Sequence, residues 1–220
     1  MTEIAIPGLI SDWFANVAPS PLDRISGDPE STAVFSTDMI NGFLRNGSLA
    51  SERVNAITEP VVSLFSRAWD LGMREFVLLQ DTHDPMTPEF VSYPPHALVG
   101  TKESETIPEL TELPFSDRFT VIEKNSLSPS IGTIFDSLLA EHEHISTAIV
   151  VGNCTDLCVY QLAMHLRLRA DALNLAEFEV IVPENCVATF DTSNHPGDFF
   201  HQVFLYHMAS NGIRIVRALT

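Results

Sequence analysis

A chain of 220 residues can bury one substantial core, and 45% hydrophobic with 19% charged residues is the composition of a folded globule, not of a disordered or fibrous chain. Twelve basic against 29 acidic side chains give a formal charge of −17, which repels phosphate backbones and anionic lipid, so neither nucleic acid nor a membrane surface is expected as a partner. No uncharged apolar run of about 20 residues occurs, the N-terminus lacks a basic segment ahead of an apolar stretch, and Cys154, Cys158 and Cys186 fit free thiols in a reducing compartment, so a cytoplasmic protein is expected.

Residues 1–30 read as an N-terminal extension packed on a single domain spanning 1–220. The apolar run 33–36 leads to Asp38 and is closed by Asn41-Gly42, which predicts a strand ending at that aspartate. Residues 51–71 carry Val54, Ile57, Val61, Phe65 and Trp69 at helical spacing, with Pro60 either kinking the helix or marking its true first turn, and Gly72 as its stop. A second strand, 75–80, ends at Asp81 and opens a polar, proline-bearing loop to about residue 109, a length that is usually functional in a compact domain.

A third strand at 119–123 precedes Lys124, and a helix is expected over 129–141 with Ile131, Ile134, Phe135, Leu138 and Leu139 inward. The uniformly apolar 147–151 predicts a strand buried on both faces. After it, Thr155 or Asp156 is placed to cap a helix over 157–170. A strand at 179–182, a helix within 198–210 and a strand at 213–216 complete an alternation that predicts an α/β fold: a doubly wound, mostly parallel six-stranded sheet, Rossmann-like, with helices on both faces. Ligands of such a sheet gather at the carboxyl ends of its strands.

Three chemically able residues fall at those ends: Asp38, Lys124 and Cys158. A carboxylate can accept a thiol proton, and a lysine with a helix N-terminus can stabilise a thiolate. Residue types alone make this a minority reading, because a buried cysteine is more often inert packing. The loop after the second strand adds Asp81, His83, Glu89 and His96, a mixed N/O donor set suited to zinc, iron or manganese, although such a set is more often a hydrated acidic loop. Lys102, in that loop, reads as solvated surface. His142 and His144 read as a solvated helix end, His165 as a helical residue, and His195, His201 and His207 as lacking any paired motif.

The segments FSTDMINGF at 35–43, VIEKNSLSP at 121–129 and VVGNCTDLCV at 150–159 resemble, in order and separation, the three motifs of the isochorismatase-like cysteine hydrolases, and QDTHDPMTPEFVSYPPH at 80–96 is similar to the metal loop of the nicotinamidase branch. The resemblance implies Cys158 as nucleophile with Asp38 and Lys124, and a cis peptide at Asn153–Cys154 that turns the amides of Cys154 and Cys158 into an oxyanion hole. It further implies a divalent metal, zinc first, on Asp81, His83, Glu89 and His96. Phe43 and Tyr93 match aromatics that flank the substrate ring, with core packing as an equal alternative for each.

The implied activity is hydrolysis of a small amide, nicotinamide to nicotinate and ammonia, by a homo-oligomer. The alternatives are a metal-independent isochorismatase-like or carbamoyl/ureido amidohydrolase and, in another class, a catalytically silent ligand-binding module. Gly42 in place of an Asp, Ala97 after His96 and the missing aromatic after Lys124 depart from the common pattern and bear on the substrate.

Overall fold

The computed structural model describes residues 5–25 and 27–220. Strands β1 (Thr32–Thr37) and β4 (Thr147–Asn153) are buried at every residue, as central strands covered on both faces must be. Strand β2 (Glu75–Asp81) is buried from its second residue onward. In β3 (Thr120–Lys124) burial alternates and Val121 is exposed, because this strand forms the sheet edge. With β5 (Glu179–Pro183), β6 (Val187–Ala188) and β7 (Arg214–Val216) the order is β3-β2-β1-β4-β5-β7, every pairing parallel.

The two-residue β6 is a seventh strand beyond the six expected. Strand β5 follows β4 only as far as Ile149↔Ile181, so Gly152 and Asn153 lose their neighbour and take Val187 and Ala188 instead. That extends β4 past Val151 and brings the segment after β5 over the carboxyl end of the sheet.

Five longer helices cover the sheet: α1 (Gly8–Ala15), α2 (Thr58–Asp70), α3 (Phe135–Glu141), α4 (Cys158–Ala172) and α5 (Gly197–Ser210). Val61, Leu64, Phe65 and Ala68 of α2 pack in one core cluster with Val34, Phe76 and Leu78. On the other face, Val159, Leu162 and Leu166 of α4 and Leu205 and Met208 of α5 pack with Phe35, Val77 and Val150. Helix α1 leans on α5 through Trp13, edge-on to Tyr206 at 5.3 Å.

Three local expectations change. The helix read over 51–71 is two pieces, Glu52–Asn55 and α2, with Pro60 inside the first turn of α2, where its missing N–H costs nothing. The helix read over 129–141 shortens to α3: Gly132 takes a left-handed φ of 76°, and Ile131 and Ile134 point to solvent. Neither Thr155 nor Asp156 caps α4, which has no side-chain cap; their side chains reach sideways to histidines, as described below.

Gly152 fixes how closely β4 approaches the end of β1. Its φ is +112°, and a Cβ there would lie 2.0 Å from the Thr37 carbonyl oxygen, inside any tolerable contact. Gly152→Ala is therefore expected to destabilise the fold by at least about 3 kcal/mol, read as a lowered urea midpoint at unchanged slope.

Candidate active site

Asp38 leaves β1 in a left-handed conformation, φ 53°, which Asp tolerates better than most residues. The turn is held on both sides: the Asp38 N–H donates to the Leu79 carbonyl at 2.9 Å, and the Asn153 side-chain amide donates to the Asp38 carbonyl at 2.7 Å. Its carboxylate accepts the Asp81 N–H at 2.7 Å. Lys124, at the end of β3, sends its ammonium inward to Asp38 Oδ2 at 3.0 Å, Asp81 Oδ1 at 2.5 Å and Cys158 Sγ at 3.4 Å. All four residues are buried, Lys124 with only 3% of its surface exposed.

The three strand-end residues singled out in the sequence thus meet at one point, with Asp81 as a fourth member. Burial, reinforced by the Asp81 charge, pushes Asp38 up to about 6 against the pull of Lys124. Burial works against the Lys124 charge, yet Asp38 and Asp81 outweigh it and hold the ammonium well above the ordinary lysine range. Burial also opposes ionisation of Asp81, but Lys124 and His83 overcome it and hold the carboxyl low. Cys158 is driven well up by burial and by the neighbouring Asp38 charge, more than Lys124 draws it down. At rest the thiol keeps its proton beside a carboxylate able to take it.

Burial pushes Cys154 and Cys186 both up to about 12. The Asn153–Cys154 peptide is cis, as the resemblance implied. Cys154 and Cys158 flank the turn that leads into α4, where the Leu157 and Val159 N–H groups donate to the Cys154 carbonyl.

The long loop returns to the sheet through His83, whose N–H donates to the Ala97 carbonyl at 2.9 Å while its own carbonyl accepts Val99 N–H at 3.0 Å. That pairing brings His96 against His83, ring centroids 4.7 Å apart. Asp81 Oδ2 lies 3.5 Å from His83 Nε2 and 3.9 Å from His96 Nε2, and Glu89 Oε1 stands 3.8 Å from His83 Nε2. Asp81, His83 and His96 form the tight group, with donor atoms all within 4.8 Å of one another; Glu89 lies beside it.

This set fits a divalent cation. His83 Nε2 is buried without a hydrogen-bond partner, a costly state that a metal relieves. Each histidine faces an acceptor through its other nitrogen, His83 Nδ1 to Asn125 Oδ1 at 3.2 Å and His96 Nδ1 to the Pro94 carbonyl at 2.8 Å, which leaves the Nε2 lone pair for a ligand. Lys102 is exposed, as read from the sequence.

A cavity of about 450 Å³, the size of a small-molecule site, opens onto both groups and is lined by Asp38, Cys158, Asp81 and His96. Phe43 and Tyr93 stand in its wall. The opposite wall was not legible in the sequence. Segment 190–195 crosses the cavity there, and His195 is stacked between Phe190 and Phe200 at 3.9 and 4.0 Å. Its Nε2 meets Asp156 Oδ2 at 2.7 Å and its Nδ1 meets the Phe190 carbonyl at 3.1 Å. His201 likewise contacts Thr155 Oγ1 at 2.9 Å and Glu184 Oε1 at 3.3 Å. No sequence motif pairs these histidines; their partners lie 39 residues away for Asp156, 46 for Thr155 and 17 for Glu184, and become neighbours only in the folded chain.

The fold and this site define a hydrolase of the isochorismatase class. A family model described as the isochorismatase domain matches residues 32–210, and the chain belongs to that family. Nicotinamidase 1 of Arabidopsis thaliana is 29% identical over 214 residues, covering 86% of this chain and 87% of its own. The crystal structure of nicotinamidase PncA from Bacillus subtilis superposes with a TM-score of 0.70 at 26% identity, covering 85% of this chain and 99% of that one. That of N-carbamoylsarcosine amidase from Thermoplasma acidophilum gives 0.68 at 25% identity, over 85% and 96%.

The Asp156–His195 pair ties the cavity wall to the turn before Cys158. A double-mutant cycle of Asp156→Asn and His195→Ala, followed by urea unfolding, is expected to return a coupling of about 1–3 kcal/mol, and His195→Ala alone to raise KM more than it lowers kcat.

Proposed function

We propose that the protein is a cysteine amidohydrolase that converts nicotinamide to nicotinate and ammonia. The observation that carries this reading is the buried, unpartnered Nε2 of His83, set with Asp81 and His96 beside a cavity that also holds Cys158. Such a donor set suits a divalent ion, and an ion there would supply a ligand position for a ring nitrogen and so orient the amide toward sulfur.

The chain's own residues carry the chemistry. Asp38 takes the Cys158 thiol proton as sulfur attacks the amide carbonyl carbon, and the oxygen gains charge next to the amides of Cys154 and Cys158. Asp38 returns the proton to the leaving nitrogen; the C–N bond breaks, ammonia departs and a thioester remains. Asp38 then accepts a proton from water, whose oxygen attacks the thioester, releasing the acid and restoring the thiol. Lys124 stays protonated throughout, orienting Asp38 and offsetting negative charge on sulfur. Phe43 and Tyr93 flank the ring of the substrate.

A second reading, an amidase for carbamoyl compounds, draws on the likeness to N-carbamoylsarcosine amidase. Ammonia release across nicotinamide, pyrazinamide and ureido substrates, with and without divalent metal, separates the two. Metal-dependent turnover of the pyridine and pyrazine amides is expected, and turnover of ureido substrates alone would overturn the first reading.

Cys158→Ala is expected to retain the fold and less than about 1% of activity. The pH profile follows from Asp38: its proton is gained as pH falls through about 6, which removes the base. An acid limb of kcat/KM near that value is therefore expected, and a profile flat to pH 4.5 would contradict the assignment.

A further inference from the structure

At the opposite end of β2 from Asp81 lies a second convergence of metal-ligating side chains. Glu75 opens that strand, and seven residues at ~3.3 Å per step put it about 20 Å from Asp81. Facing it are His142, at the C-terminus of α3, and His144, two residues on. The Ile145 N–H donates to the His142 carbonyl at 3.0 Å, and Ile145 is buried, so the turn that carries both histidines is anchored. Their rings lie 5.6 Å apart. His142 Nδ1 is 3.3 Å from Glu75 Oε2, and His144 Nε2 is 3.9 Å from Glu75 Oε1.

We propose that Glu75, His142 and His144 form a surface site for one divalent transition-metal ion of the zinc class. Two observations carry this beyond a pair of exposed ion contacts. His142 Nδ1 is shielded from water and has no hydrogen-bond partner, although it points at a carboxylate; a metal held between them satisfies both. The spacing also fits: ligands at about 2.0–2.2 Å from a tetrahedral zinc lie about 3.3–3.5 Å from one another, which the 3.3 Å between His142 Nδ1 and Glu75 Oε2 matches, and one ligand atom from each of the three residues falls within 4.8 Å of the others.

Two imidazoles and one carboxylate favour zinc, nickel, copper or cobalt over magnesium or calcium. His144 is 52% exposed, so the open side of the site faces solvent and leaves room for water. Glu141 and Glu143 flank the histidines and add to the negative field of an acidic chain. An ion here would tie the turn after α3 to the start of β2, joining two elements of the half of the sheet that carries Lys124 and Asp81.

The test is a zinc count on the full chain, stripped with chelator and then equilibrated with micromolar zinc. Wild type is expected to hold one zinc per chain more than His142→Ala/His144→Ala, and to gain more in thermal midpoint when zinc is added. Amide hydrolysis should be unchanged in the variant, and the count stands whichever amide the enzyme takes. Equal zinc content in the two proteins would overturn the proposal. His144→Ala alone removes an exposed ligand without disturbing the core and is expected to weaken the additional site by at least about tenfold. Unchanged affinity in that variant, or wild-type binding to the additional site only at about millimolar zinc, would also overturn it.

Discussion

A lysine ammonium buried at the carboxyl end of the sheet is the constraint to which its surroundings answer. Removing a charge from water costs several kcal/mol even after relaxation, and the cost is recovered only if every donor finds a well-placed acceptor. Lys124 has three, the carboxylates of Asp38 and Asp81 and the sulfur of Cys158, and each comes from a different element. Strands β3, β2 and β1 and the start of α4 are thereby held in one register at their ends. Asp38 cannot drift toward solvent without leaving that ammonium short of an acceptor.

Asp81 belongs to both groups of the site. One of its oxygens bonds Lys124; the other faces His83 and His96. The thiol group and the donor loop are therefore not two independent sites that happen to share a cavity. They meet on one carboxylate, and any charge placed on the loop side is felt by the ammonium that orders Asp38 and Cys158.

The sheet order places this arrangement where a doubly wound fold accepts ligands. The chain order reverses between β1 and β4; Asp38 follows β1 directly, and Cys158 opens the helix that follows β4. Membership of the isochorismatase family accounts for the scaffold. The cavity beside the site is bordered by the loop carrying His96 and by segment 190–195.

The sequence by itself determined the parts whose signal is local. Burial of β1 and β4 on both faces leaves an uninterrupted apolar run, a polar residue at a strand end stands out against it, and the segments around Asp38, Lys124 and Cys158 carried their own pattern. Tertiary structure alone decided what depends on distant partners. Asp156 pairs with His195 across 39 residues, Glu75 faces His142 and His144 across 67 and 69, and β6 exists because β5 leaves β4 early. Ile131 and Ile134 looked inward on helical spacing, yet Gly132 breaks the helix before they reach the core. Periodicity reports which face a segment could bury; only the packed chain decides which face is covered, and which charges end up facing one another.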